Sequence, residues 1–150
     1  MVWRTLKMLR ITEIFFSLQG ESRFAGLPCA FVRTTGCNLR CTWCDSAYTF
    51  QGGRDMAVEA IMAELAKFPT KRVEVTGGEP LLQKNVYPLF SALLAAGYEV
   101  LLETSGSVSI ASISRGRNSR PPAFSSRCRI VSRRPGGIAC RSARSAGFHR

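Results

Sequence analysis

The 150-residue sequence predicts an α/β fold: the N-terminal half of a parallel (β/α) barrel over residues 1–111, then a disordered basic tail over 112–150. Three observations predict it. From Pro28 onward, short apolar runs alternate with helical periodicity in the order β-loop-α-β-α-β. The residues of unusual chemistry fall where strands end, which is where a parallel barrel assembles its site. Both patterns stop after Ala111.

Leu9 to Leu18 roughly alternates apolar and polar residues, as a strand does, and the turn-like Gln19-Gly20-Glu21-Ser22 follows. Pro28 to Arg33 is a short, mostly apolar run that reads as a buried strand. Residues 34–54, rich in Gly, Thr, Asn and Cys, form a long loop, and a loop of that length inside a domain is usually functional. Asp55 is the expected N-cap of a helix whose apolar face is Val58, Ile61, Met62 and Leu65, and Pro69 ends it. Arg72 to Val75 is a second strand of this core, running into Thr76-Gly77-Gly78-Glu79-Pro80. A second helix spans about Asn85 to Ala96, with Pro88 tolerated in its first turn and Gly97 as its C-terminal cap. Tyr98 to Leu102 is the next strand and ends in Glu103-Thr104-Ser105-Gly106.

The net charge of +11 first suggests a nucleic-acid partner. Residues 1–111, however, hold all ten acidic residues and eleven of the 21 Lys and Arg, whereas 112–150 hold ten Arg and no acid. The part with a fold pattern is therefore close to neutral, and a nucleic-acid function is not expected of it. The tail admits three readings: a disordered basic segment, an RNA-binding arm, or out-of-frame translation of GC-rich DNA. The abrupt loss of every acidic residue favours the third.

Arg4, Lys7, Arg10 and Glu13 interrupt the first sixteen residues, so neither a signal core nor a membrane span is predicted there. The six cysteines are accordingly expected in a reducing cytoplasm, where metal binding outranks disulfides. Cys37, Cys41 and Cys44 form a C-x3-C-x2-C run. Three thiolates at this spacing suit three irons of a [4Fe-4S] cluster and leave the fourth iron open. The competing reading is a zinc knuckle completed by Cys29 or His149. Cys29 precedes an apolar strand and reads as a small core residue, and His149 lies in the tail. Thr76-Gly77-Gly78-Glu79-Pro80 begins 32 residues after Cys44. Its two glycines permit close approach of a ligand, and Glu79 offers a carboxylate to an ammonium group. Alone, this string would be an ordinary Gly-Gly turn.

Together the two motifs resemble the radical-SAM superfamily. The resemblance implies a [4Fe-4S] cluster on Cys37, Cys41 and Cys44 and S-adenosylmethionine (SAM) contacted by Gly78 and Glu79. It also implies reductive cleavage of SAM to a 5′-deoxyadenosyl radical, on a barrel of the radical-SAM type. Within the superfamily, Glu13-Ile14-Phe15-Phe16-Ser17-Leu18-Gln19-Gly20-Glu21, Phe31-Val32-Arg33, Cys44-Asp45-Ser46 and Glu103-Thr104-Ser105-Gly106 are similar to the 7-carboxy-7-deazaguanine synthases. That family implies conversion of 6-carboxy-5,6,7,8-tetrahydropterin to 7-carboxy-7-deazaguanine with loss of ammonia, in queuosine biosynthesis.

Carried onto this chain, the resemblance implies a pterin site at Leu18, Gln19, Gly20, Arg33 and Thr76. It implies SAM contacts from Trp43, Cys44, Asp45 and Ser105, and Mg²⁺ on Ser46. The duller readings are a solvated Arg33, a turn-capping Ser46 and an ordinary turn at Gln19-Gly20. An electron donor of the flavodoxin type and a homodimer are the implied partners. The resemblance spans about residues 8–110. The family's barrel continues with strands and helices that the tail does not match, so this chain by itself is expected to be impaired. A glycyl-radical-enzyme activase is the neighbouring enzyme reading. A zinc- or RNA-binding module is the reading from another class.

Overall fold

The computed structural model describes residues 7–109, 128–134 and 137–142. Seven strands form one mixed sheet: β1 Met8–Leu18, β2 Pro28–Thr34, β3 Arg54–Ala57, β4 Arg72–Gly77, β5 Glu99–Thr104, β6 Cys128–Arg134 and β7 Gly137–Ser142. Their order across the sheet is β3-β1-β2-β4-β5-β6-β7. The run β2-β4-β5-β6 is parallel, and the β-loop-α-β-α-β pattern predicts its first three strands. The outer pairs, β3-β1, β1-β2 and β6-β7, are antiparallel.

Two helices, α1 Val58–Leu65 and α2 Val86–Ala95, cross over between the parallel strands and cover one face of the sheet. The period-2 alternation decides which residues meet them. Leu9, Ile11, Val32, Val73, Val75, Val100 and Leu102 pack against Ile61, Leu65, Leu89 and Leu93 in one core. Ile61, Leu65, Leu89 and Leu93 have no exposed surface, and burying each contributes about 2 kcal/mol. Gly97, at φ +80, ends α2: its N–H donates to the Leu94 carbonyl at 3.1 Å and that of Tyr98 to Leu93 at 3.0 Å.

The same alternation turns Phe31, Arg33, Glu74, Thr76, Leu101 and Glu103 to the opposite face. The register sets Phe31 beside Glu74 and Arg33 beside Thr76. This face and the loops beyond the strands' C-terminal ends carry the polar chemistry.

Two expectations are corrected. Asp55 does not cap α1; it lies in β3, where it pairs with Arg10 at 3.4 Å. Pairing of Arg54–Ala57 with Met8–Ile11 displaces the helix start, and Ala57 becomes the N-cap. The tail is not without structure throughout. Cys128–Arg134 pairs in parallel along the outer edge of β5, and Gly137–Ser142 turns back on it. Ile130-Val131 and Ile138-Ala139-Cys140 give these segments their short apolar runs, which the surrounding Arg and Ser obscure. The rest of the tail, His149 included, lies outside the described residues.

Candidate active site

Beyond β2, the cysteine loop folds back over the C-terminal ends of β4 and β5. Arg40 pins it from within: its guanidinium donates to the Cys37 carbonyl at 2.9 Å and the Leu39 carbonyl at 2.7 Å, and lies 4.1 Å from the Phe50 ring centroid. The Leu39 N–H points at the Cys37 sulfur at 3.4 Å. Cys37, Cys41 and Cys44 are free thiols with part of their surface accessible, and all three line one cavity of about 290 Å³. Its other walls are Thr76, Gly77 and Gly78 from the end of β4 and Glu103, Thr104 and Ser105 from the end of β5.

The glycine pair lets these walls meet. A Cβ on Gly78 would lie 2.2 Å from the Gly36 carbonyl oxygen and 2.7 Å from the Cys37 Cβ. A Cβ on Gly77, which sits at φ +141, would lie equally close, 2.2 Å, to the Thr34 carbonyl oxygen. The backbone after β4 therefore touches the first residues of the cysteine loop, and Glu79 N–H donates to the Gly36 carbonyl at 2.9 Å.

A second cavity, of about 280 Å³, adjoins the first and shares Asp45, Ser46 and Glu103 with it. Gln19, Gly20, Phe31, Arg33, Tyr48 and Glu74 complete its lining, with Glu21 at the rim. Arg33 Nε donates to Glu13 at 2.8 Å, and Tyr48 donates its hydroxyl to the same Glu13 oxygen at 2.8 Å. Desolvation and that bond to Glu13 raise the Tyr48 pKa, so its proton is retained.

Across the cavity the wall is acidic. Glu74, 4% exposed, accepts from the Gln19 amide, and Glu103 accepts from Thr76 Oγ1 at 2.6 Å. Burial first, then the charge of Glu103, push the Glu74 carboxyl up to about 7.

Most of the residues expected at the site come together. Cys37, Cys41, Cys44, Trp43, Asp45, Gly78, Thr76 and Ser105 line the first cavity, and Gln19, Gly20 and Arg33 the second. Ser46 lines both and donates to Asp45 Oδ1 at 2.6 Å. Leu18 is not brought in: it ends β1 opposite Pro28, 61% exposed and outside both linings. Glu79 is fully buried behind the first cavity wall rather than in it. Sequence reasoning passed over Glu74 and the carboxylate of Glu103. The available signal was a charged residue inside the apolar strand Val73-Glu74-Val75, two positions before Thr76 and so on its face.

Residues 31–115 match the family profile described as the radical SAM superfamily, more than half of the chain. The chain belongs to the radical SAM superfamily. Among curated relatives, the 7-carboxy-7-deazaguanine synthase of Koribacter versatilis is 56% identical over 107 residues, 70% of this chain and 47% of that protein. That of Chlorobaculum tepidum is 52% identical over 98 residues, 65% of this chain and 44% of that protein. The one from Thermoplasma acidophilum is 44% identical over 100 residues, 67% of this chain and 48% of that protein. The chain thus spans about half the length of the curated relatives it matches. In fold it is similar to the crystal structure of QueE from Escherichia coli, with a TM-score of 0.67 and 24% identity, over 82% of this chain and 59% of that one.

Membership in the radical SAM superfamily implies a [4Fe-4S] cluster and SAM, and the donor set fits both. Three thiols line one wall, while no group of His, Cys, Asp or Glu among the described residues converges to hold a single ion. Separate thiolates, each on its own iron, suit an extended cluster. Cys29 supplies no fourth thiolate: it is fully buried in β2, and desolvation pushes its thiol up to about 12. Beside the cysteines, the glycine backbone leaves room for close approach and the wall carries the Ser105 hydroxyl, a chemistry that would suit the amino-acid end of SAM. Among the described residues no helix is long and apolar enough to cross a membrane.

Proposed function

We propose that this chain forms the cluster- and SAM-binding half of a 7-carboxy-7-deazaguanine synthase, together with much of its substrate pocket. The observation that supports this most is the pair of adjoining cavities. The cysteine-lined one opens along Asp45, Ser46 and Glu103 onto one bearing Arg33 on one side and Glu74 and Glu103 on the other. Such a site suits two ligands whose reactive ends meet at the shared wall.

Cys37, Cys41 and Cys44 would hold the cluster in the first cavity, and the cluster with SAM would supply one-electron reductive radical chemistry there. The residues of the chain do the rest by position and charge. Arg33, its Nε held by Glu13, turns its terminal nitrogens to the carboxylate of 6-carboxy-5,6,7,8-tetrahydropterin. Glu74 and Glu103 accept the amino and ring N–H groups of the pterin, and Gln19 holds Glu74 in place. Ser46 and Asp45, two oxygen donors 2.6 Å apart, are hard ligands of the kind Mg²⁺ takes. A flavodoxin-like protein delivers the electron.

The test is anaerobic reconstitution of the full chain with iron and sulfide, followed by SAM, Mg²⁺, dithionite and carboxytetrahydropterin. The expected product is 7-carboxy-7-deazaguanine with one equivalent of ammonia, formed well below the rate of a full-length relative because the chain spans about half the length of those relatives. Deoxyadenosine release that requires a protein partner and ignores the pterin would contradict it in favour of a glycyl-radical-enzyme activase.

A further inference from the structure

Glu13 and Arg33 stand directly opposite each other on β1 and β2, so their side chains share one face of the sheet. A guanidinium carries five N–H groups. Among the described residues the Nε–H of Arg33 has a protein acceptor, Glu13 Oε1 at 2.8 Å, and the terminal nitrogens have none. They belong to a side chain that lines the second cavity and is only 18% exposed. One hydrogen bond fixes a direction but leaves the plane of the fork free to pivot about it.

Two rings set that plane. Arg33 Cζ lies 5.7 Å from the Phe15 centroid and 5.9 Å from the Tyr48 centroid. Phe15 is itself stacked on Phe31 at 4.8 Å, which holds that side firmly. Tyr48 is 57% exposed, so packing does little to hold its ring. Its hydroxyl does: it donates at 2.8 Å to Glu13 Oε1, the same oxygen that Arg33 uses. The backbone beneath Tyr48 is anchored in turn by buried Thr49. The Thr49 N–H and Oγ1 donate to the Ser46 carbonyl at 2.9 and 2.8 Å, and its own carbonyl accepts the Gly36 N–H at 2.8 Å. The loop that carries the cysteines therefore also carries the hydroxyl that holds Glu13 and the second ring against Arg33.

We infer that Tyr48 is a positioning residue: through Glu13 it fixes the plane of Arg33, and so sets how strongly the second cavity prefers a pterin bearing a 6-carboxylate over the same ring without it. This rests on reading the second cavity as the substrate site. A fork held by one bond and one ring loses part of its bidentate match to a carboxylate, while contacts to the rest of the pterin are untouched.

The test uses the full chain with its cluster reconstituted and measures, anaerobically, dissociation constants for 6-carboxy-5,6,7,8-tetrahydropterin and for tetrahydropterin. Tyr48→Phe keeps the ring and removes the hydroxyl. Its preference for the carboxylated pterin is expected to fall about fivefold, the size of one ordinary hydrogen bond, with tetrahydropterin binding unchanged. In a Glu13→Ala background, where the shared oxygen is gone, the same substitution should cost nothing further. Because each variant is compared with itself on two ligands, general loosening of the fold cancels. Should Tyr48→Phe take up no iron, Tyr48→Leu reads the same ratio and should show a loss at least as large.

A preference in Tyr48→Phe equal to wild type would overturn the inference. So would an equal loss in the Glu13→Ala background, which would mean that the hydroxyl touches the ligand itself. A wild type that binds the two pterins alike would overturn the reading of the second cavity as the substrate site, and the inference with it.

Discussion

Replacing Glu74 with Gln should make the protein more stable at neutral and alkaline pH, and the size of the effect follows from the structure. Glu74 lies inside the sheet beside Glu103, with burial as the larger cause and Glu103 as the next, and its carboxyl is held at about 7 instead of the ordinary 4.5. At about 1.4 kcal/mol per pH unit, ionising it in the folded chain costs about 3 kcal/mol. The sign follows from proton counting. Between pH 4.5 and 7 the folded chain holds a proton that the unfolded chain has released, so this group's contribution is greatest below pH 4.5 and is lost as pH rises to about 7. Glu74→Gln is neutral throughout, and its amide oxygen can still accept from Gln19. Urea denaturation of the metal-free chain at pH 5, 6, 7 and 8, followed by circular dichroism, measures the difference. The variant should gain on wild type by about 2.5 kcal/mol between pH 5 and pH 8. Parallel curves for the two proteins across this range would refute a raised Glu74 carboxyl.

Cys29 should resist iodoacetamide in the folded metal-free chain while Cys37, Cys41 and Cys44 are alkylated, because its buried thiol is held near 12; peptide mass mapping after a short pulse reads this directly. Gly78→Ala should cut iron uptake by more than half at little cost to the helices, since the new methyl would lie 2.2 Å from the Gly36 carbonyl and force the cysteine loop away from β4; iron content and far-ultraviolet circular dichroism separate the two effects. Arg33→Lys should raise KM for the carboxylated pterin about tenfold while leaving iron content unchanged, because a point charge replaces a fork that Glu13 holds at 2.8 Å; steady-state product formation checks it.

The parallel core was legible because its strands are continuous apolar runs and its helices carry an apolar stripe, and both signals are local. The cysteine run and the Gly-Gly-Glu turn were legible as chemistry for the same reason. What local pattern does not carry is partnership between distant segments. Asp55 makes a sound N-cap by composition, yet pairing of β3 with β1 drew it into a strand. Glu79 reads as a ligand because an acid after two glycines suits one, and only the fold shows that Thr104 and Ser105, twenty-five and twenty-six positions on, donate hydrogen bonds to it. Glu74 went unremarked inside an apolar strand because its role depends on Gln19, just after β1, and on Glu103 from β5. In the tail, arginine and serine mask short apolar runs whose strand character comes from the waiting edge of β5.

The proposed function depends most directly on Cys37, Cys41 and Cys44 holding a cluster with one iron open to SAM. Anaerobic reconstitution of the full chain, followed by iron and sulfide analysis and electron paramagnetic resonance of the reduced protein with and without SAM, tests it. About four irons per chain and a signal that changes when SAM is added are predicted, and both should be lost in Cys41→Ala. Retention of a single zinc, or a reduced cluster whose signal is unaltered by SAM, would contradict it.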